Sequence, residues 1–180
     1  QGFWRMMGSD RFDEAALITG LGDQWALQHA SFKAYPTCRW IHTALESFER
    51  LQHELALSPW DIDVIRVKGS QRLAADFMDT RPQNETDAQF SLPFALACLA
   101  HHIPRHRWSA DETLANPMLQ ALADKVHVEV SPELDLLMAQ ERRPVLQVDV
   151  VTQGKVVNGE RIAFPLGCAA HPLAESRIMA

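Results

Sequence analysis

The sequence has 180 residues, of which 47% are hydrophobic and 22% are charged. A chain of this length and composition can bury a sizeable core, so we expect a soluble globular domain and exclude a disordered chain. The net charge of -6 opposes attraction to phosphate backbones. Nucleic acid is therefore excluded as a general partner.

The cysteines and the apolar runs bear on the cellular compartment. The apolar stretches are far shorter than the roughly 20 residues that span a bilayer, so we predict no transmembrane helix, export signal or membrane partner. Cys38, Cys98 and Cys168 lie far apart and not in CxxC spacing. This pattern excludes an even disulfide framework and argues against a zinc ribbon. A cytoplasmic location fits these features best.

In chain order, the first half of the chain predicts two helices and two strands. Apolar residues predict a short helix over 12–21, and a weak alternation over 25–33 predicts a strand that runs into a lysine. A stripe of apolar residues over 41–55 predicts an amphipathic helix, for which Thr37 is available as the N-cap. A β-branched run over 62–69 then predicts a strand.

The second half of the chain begins with a polar loop over 79–87. It leads to a helix over about 88–101, capped by Thr86 or Asp87, that is apolar nearly all round. The next predicted elements are a helix over about 117–123, a strand over 126–130, a helix from Ser131 to Ala139, and a hairpin of 145–152 and 156–164.

These elements predict an α+β fold. Strands and helices are largely segregated along the chain, which favours a mostly antiparallel sheet of four to five strands with helices packed on one face. We expect residues 1–180 to form a single domain of this kind. The order in which the strands pair does not follow from the pattern.

The segment over residues 33–42 is the strongest candidate for a functional site. It places Lys33 at the predicted strand end, opposite the first turns of a helix whose unpaired N–H groups favour an anion. Arg39 adds positive charge, so the segment suits a carboxylate. Cys38 and His42 are four residues apart and would share a helix face. The alternative is a structural turn in which Lys33 is solvated and His42 is buried.

Three polar residues near the next helix are further candidates. Gln89 and Ser91 would lie at a helix N-terminus, where they would either donate hydrogen bonds to a carboxylate or cap and pack the helix. Arg81 would either bind an anion or brace its loop. The spacing leaves both alternatives open.

No metal or cofactor is predicted. The histidines at 101, 102 and 106 are separated by Pro104, so they cannot share a regular helix face. No carboxylate or cysteine lies near them at ligand spacing, and the sequence contains no Gly-rich phosphate loop, GxSxG or HExxH pattern.

Three motifs occur in an order that resembles the MmgE/PrpD family. The pattern K-x-Y-P-x-C-x-x-x-H over 33–42 resembles a signature of that family. R-P at 81–82, followed by D-A-Q-F-S at 87–91, is similar to its arginine-proline loop and the helix start beyond it. F-P-L-G at 164–167, with Pro172 beyond, resembles the turn where the family's lid domain ends.

The resemblance implies the lid domain of a metal-free lyase or isomerase that acts on small di- and tricarboxylic acids. Members include 2-methylcitrate dehydratase of propionate catabolism, cis-aconitate decarboxylase and an iminodisuccinate epimerase. Family members also have an all-helical domain, absent here, that supplies catalytic histidines across an interdomain cleft. We therefore expect three partners: a small polycarboxylate, the helical domain of the same protein, and a second copy in a homodimer.

The ends of the chain and the missing histidines suggest that the enzyme is incomplete. The chain opens on Gln1 and closes on Ala180 without a recognisable start or stop, so we expect a segment of a longer protein. Isolated, it should be inactive. The alternative is a non-catalytic binding or interaction module that has kept the lid fold.

The resemblance also implies roles for individual residues. These reactions make or quench a carbanion next to a carboxylate, so cations must neutralise charge while an acid or base moves a proton. Lys33 is the candidate for carboxylate neutralisation or proton transfer, and Cys38 and His42 are further catalytic candidates. The substrate-binding candidates are Tyr35, Arg39, Arg81, Gln89 and Ser91.

Overall fold

The computed structural model describes residues 13–25, 27, 30–141 and 143–175. The chain divides into two compact units, the first ending at Ala30 and the second beginning at Ser31. In the first unit, Asp13 caps helix α1 (Glu14–Ile18) by accepting hydrogen bonds from two backbone N–H groups. The short helix predicted here is therefore confirmed. Its unit exposes the apolar side chains of Ile18, Leu21, Trp25 and Leu27.

The second unit holds the remaining elements. In chain order they are α2 (His42–Leu55), β1 (Val64–Gly69), α3 (Gln71–Asp76), α4 (Glu85–Phe90), α5 (Leu92–Ala100), α6 (Asp111–Leu114), α7 (Pro117–Ala123), β2 (Val126–Val130), α8 (Pro132–Glu141), β3 (Gln147–Thr152) and β4 (Lys155–Asn158). Short 3₁₀ turns cover Arg39–Ile41, Pro59–Asp61 and Arg105–Arg107. Of the helices in the described ranges, none has the length and apolarity required to cross a bilayer.

The sheet has four strands in the order β2-β1-β3-β4. β1 pairs with β2 in parallel, and β3 pairs antiparallel with both β1 and β4. The predicted α+β fold with a mostly antiparallel sheet is thus confirmed. The parallel pair needs a long crossover, which α3 to α7 supply between β1 and β2.

The core lies between the sheet and the helices. Alternate residues of β1 and the middle of β3 are buried, and they share one apolar cluster with α2 and α5. All nine residues of α5 are buried, because this helix packs against both α2 and α7. The apolar periodicity of α2 therefore reflects its position between sheet and helix.

The strand predicted over 25–33 is wrong for the residues that the structure describes. Trp25, Leu27 and residues 30–33 are not in a strand, while 26, 28 and 29 lie outside the described residues. Phe32 donates its N–H to the Gly167 carbonyl at 3.0 Å, and no ladder continues from this bond. Without a neighbouring strand, the weak alternation has no sheet to join.

The single helix predicted over 88–101 is in fact two helices. Ser91 is extended between α4 and α5, at φ -97° and ψ 109°. Pro93 lacks an N–H, and its ring would clash with the carbonyl four residues earlier, so it is tolerated only in a first turn. The chain meets this constraint by ending α4 at Phe90 and starting α5 at Leu92, with Asn84 as the cap of α4.

The predicted hairpin forms, but its second strand is shorter than expected. β4 ends at Asn158, and beyond it a single bridge joins Leu146 to Ile162. The hydroxyl of Ser47 on α2 accepts the Val148 N–H at 3.1 Å and donates to the Glu160 carbonyl at 2.7 Å. A helix side chain thus bridges the Val148 N–H and the Glu160 carbonyl, while Gly159 still donates its N–H directly to the Val148 carbonyl at 2.9 Å.

Candidate functional site

The three sequence motifs meet in the folded chain. The Cys38 N–H, in the first motif, donates to the carbonyl of Gln89 in the second at 2.7 Å. Phe32, just before the first motif, donates to the carbonyl of Gly167 in the third at 3.0 Å. Segments far apart in sequence are therefore held together by backbone hydrogen bonds around residues 32–42.

Gly167 is required where the third motif meets the first. Its φ is +90°, and a Cβ there would lie 2.2 Å from the Phe32 carbonyl oxygen. Either condition excludes a side chain. The neighbouring Leu166 N–H donates to buried Glu46 on α2 at 2.9 Å, which fixes the turn against the core. The third motif thus positions the chain that leads into Lys33.

The helix start after Pro36 differs from the prediction. The chain first makes the 3₁₀ turn and enters α2 at His42, with no side-chain cap on either. The cap predicted for Thr37 is therefore wrong. The helix face predicted for Cys38 and His42 is also wrong, because Cys38 precedes the 3₁₀ turn. Lys33 is exposed, and it does not end a strand.

Three buried polar atoms of this segment lack a hydrogen-bond partner among the described residues. They are Thr37 Oγ1, Arg39 Nη2 and His42 Nδ1. Thr37 and His42 are at most 1% exposed, so water in bulk does not reach them. Buried groups without partners are uncommon and costly. These three atoms are therefore not satisfied by the residues that the structure describes.

His42 is held in its neutral form. Its pKa is lowered to about 4, first by burial and then by the positive charges of Arg39, Lys33 and Arg105, while the hydrogen bond with the Thr37 carbonyl opposes this shift. The Nε2 atom lies 3.3 Å from that carbonyl oxygen, so Nε2 carries the proton. Nδ1 is consequently a bare acceptor.

An open cavity of about 370 Å³ lies beside this segment. Its lining residues are Lys33, Ala34, Tyr35, Pro36, Gln89, Arg105 and His106. Two of these side chains are cations at neutral pH, and no carboxylate lines the cavity in the described part of the chain. The cavity therefore has the electrostatic character of an anion site.

Tyr35 forms one wall of the cavity and is itself nearly fully buried. Its hydroxyl donates to Glu49 Oε2 at 2.7 Å, and its ring packs edge-on against His42. Burial and the Glu49 carboxylate raise the pKa of Tyr35 above its ordinary range. The hydroxyl of Tyr35 is thus bound to Glu49 and is not directed at a ligand.

The model of the MmgE/PrpD C-terminal domain matches residues 35–180. The chain belongs to this family. Its fold is the family's lid domain, which confirms the resemblance drawn from the three motifs. No curated protein matches the chain. The matched range includes every residue of the MmgE/PrpD motifs except Lys33 and Ala34, which lie immediately before it.

The arginine-proline loop of the MmgE/PrpD motif is held by an ion pair. Both terminal nitrogens of Arg81 donate to the Asp124 carboxylate, and Nη1 also donates to the carbonyls of Thr80 and Gln120. Bidentate pairing to a carboxylate leaves this guanidinium little capacity for a second anion. The geometry favours the interpretation that Arg81 braces its loop.

The two polar residues of the next MmgE/PrpD motif differ in position. The Ser91 hydroxyl accepts the Phe94 N–H at 3.1 Å and donates to the Asp79 carbonyl, so it caps α5 and ties α5 to the preceding loop. Gln89 is half-buried, and its side chain lies at the cavity, 3.3 Å from Glu85. The geometry favours a capping role for Ser91 and leaves Gln89 within reach of a ligand.

Sequence reasoning missed two residues of the cavity, Arg105 and His106. The signal was the basic run 105–107 after Pro104. Within the described ranges, no three histidine, cysteine or carboxylate side chains gather where they would hold a metal ion. The basic run instead contributes positive charge beside Lys33.

Proposed function

We propose that this chain is the lid half of a lyase or isomerase that acts on small di- or tricarboxylic acids, in the manner of 2-methylcitrate dehydratase. In this proposal the lid supplies cations to a site that the helical domain of the same protein completes. The chemistry draws on side chains alone, without a metal or cofactor, and the protein works in the cytoplasm.

The cavity beside Lys33 is the observation that carries the proposal. It is open, it collects cations from two separate segments, and its lining lacks carboxylates in the described residues. A polycarboxylate substrate needs such an environment, because removing a proton next to a carboxylate develops further negative charge. The family membership supports a reaction class that this electrostatic character would suit.

The unpaired buried atoms of residues 37–42 support an incomplete site. Their cost is tolerable if a ligand, an ordered water or the helical domain supplies the missing partners. His42 is buried and neutral, so its Nδ1 would accept a hydrogen bond from such a group. Cys38 is half-buried, so it lies nearer the surface than His42 does.

Among the candidates, Lys33 is best placed to contact the substrate. It is exposed at the cavity, where an ammonium would neutralise a carboxylate or transfer a proton. We propose that Cys38, Arg39 and His42 lie around Lys33 in the completed site. Gln89 is a candidate donor to a substrate oxygen. Tyr35 forms the wall against which the substrate would rest.

The test compares the natural protein that contains residues 1–180 with the isolated chain. We expect the natural protein to turn over 2-methylcitrate, cis-aconitate or iminodisuccinate, and the isolated chain to turn over none. Turnover by the isolated chain at a similar rate would exclude a split site. Binding of these acids by the natural protein without turnover would instead identify a non-catalytic binding module.

A further inference from the structure

Arg105 is held in one place by two contacts. Its guanidinium carbon lies 4.6 Å from the centroid of the Tyr35 ring, and its Nη2 donates to Glu49 Oε1 at 2.9 Å. The other oxygen of Glu49 accepts the hydroxyl of Tyr35. Tyr35, Glu49 and Arg105 therefore form a closed set of contacts, and the guanidinium has little freedom to move.

The same guanidinium keeps unused donors at the cavity. An arginine carries five N–H donors, and in the described part of the chain Arg105 makes only the bond to Glu49. By contrast, Arg161 gives two nitrogens to Glu133, as Arg81 does to Asp124. Arg105 also lines the cavity together with Lys33. It is thus a fixed cation with free hydrogen-bonding capacity in the same cavity as the exposed Lys33.

We propose that Arg105 is a specificity-determining residue of this site, which binds the second carboxylate of a substrate whose first carboxylate contacts Lys33. The inference rests on the proposed function, because it assigns a role within the same cavity. The two cations suit this division. A lysine offers a point charge on a flexible stem, whereas a fixed guanidinium selects the planar geometry of a carboxylate.

Glu49 is then a positioning residue for Arg105. It contacts the guanidinium and is not among the residues that line the cavity with Lys33. Its carboxylate has one oxygen for Tyr35 and one for Arg105, and an amide cannot accept from both in this way. Replacing Glu49 by glutamine should therefore loosen Arg105 without removing its charge.

The experiment measures binding to the natural protein by calorimetry. The probes are tricarballylate, glutarate and butyrate, which carry three, two and one carboxylate. In Arg105→Gln, we expect Kd for tricarballylate and glutarate to rise about tenfold or more, because a charged hydrogen bond is lost. Kd for butyrate should change less than twofold. Arg105→Lys should give intermediate Kd values, because lysine keeps the positive charge but lacks the planar N–H donors of a guanidinium.

Arg107→Gln is the matched control, because Arg107 lies on the same 3₁₀ turn but pairs with Glu112 and is not among the cavity residues. It should leave all three Kd values within twofold. As a single substitution, Glu49→Gln should raise Kd for tricarballylate. In the Arg105→Gln background, it should raise that Kd by less than twofold. That lack of additivity separates positioning from an unrelated loss of stability.

Two results would overturn the inference. One is an unchanged Kd for tricarballylate in Arg105→Gln, and the other is an equal loss for all three acids, which would indicate a general effect on the fold. If Lys33→Ala weakens these acids while Arg105→Gln does not, the inference fails and the proposed function survives. If the unaltered protein neither binds nor turns over any polycarboxylate, the proposed function itself fails.

Discussion

The two main MmgE/PrpD motifs, at residues 33–42 and 81–91, are in opposite states in the folded chain. In the second motif, Arg81 is paired with a carboxylate and two carbonyls, and Ser91 both accepts and donates a hydrogen bond. In the first motif, three buried polar atoms have no partner among the described residues, and Lys33 is exposed at a cavity.

This difference indicates that a family motif need not be a ligand site. Arg81 and Ser91 of the second motif are satisfied within the lid, so folding alone accounts for these two residues, while Gln89 of the same motif lies at the cavity. The first motif is not satisfied in this way, and its unpaired groups carry a cost that some further group must offset. Substitutions at the two motifs test whether this division between a structural and a functional motif is correct.

The largest expected effect separates Lys33 from Arg81 by turnover. In the natural protein, Lys33→Ala should lower kcat by about two or more orders of magnitude, because Lys33 would stabilise charge that develops in the transition state. Arg81→Ala should change kcat only about threefold and lower the free energy of unfolding only slightly, because the ion pair with Asp124 is exposed. Steady-state kinetics and urea unfolding measure the two effects. Equal losses of turnover would abolish the distinction.

The next effect is a dependence of stability on pH that arises from His42. Its folded pKa of about 4 lies below its unfolded value near 6.5, so the unfolded chain binds more protons between these values. Stability from this residue is present above pH 6.5 and is lost as the pH falls towards 4, by up to about 3 kcal/mol.

His42→Gln should remove this slope from urea unfolding measured between pH 4 and 7. The matched control is His53→Gln, since His53 is exposed on the same helix and should keep the slope. An unchanged slope in His42→Gln would mean that other groups cause the pH dependence.

A smaller effect is expected at the structural motif. Ser91→Ala removes the cap of α5 and the bond to the Asp79 carbonyl, so the free energy of unfolding should fall by about 1–2 kcal/mol. Turnover of the protein that remains folded should be unchanged. A loss of kcat at full folding would instead place Ser91 at the substrate.

The smallest effect has the opposite sign. Thr37→Val replaces an unpaired buried hydroxyl with a methyl group, so it should stabilise the isolated chain by about 1 kcal/mol. Thr43→Val is the control, because the Thr43 hydroxyl donates to the Pro144 carbonyl at 3.4 Å, and its loss should destabilise. If Thr37→Val were as destabilising as Thr43→Val, its hydroxyl would have a partner within the chain.

Elements with a strong local pattern could be predicted closely from the sequence. The helix at Pro117–Ala123 and the strand at Val126–Val130 have the expected bounds, because a proline start and a β-branched alternation act within a few residues. Predictions failed where a distant group decided the outcome. The alternation near Phe32 found no neighbouring strand, and β4 ends at Asn158, beyond which Ser47 of α2 contacts both Val148 and Glu160.

The sequence by itself determined the α+β class and, through three ordered motifs, the MmgE/PrpD family. Both rest on residue types and short spacings, which the chain carries whether folded or not. Only the tertiary structure decided which motif is satisfied, that β1 and β2 are parallel, and that Arg105 shares a cavity with Lys33. These facts depend on contacts between residues far apart in sequence, and no local pattern specifies them.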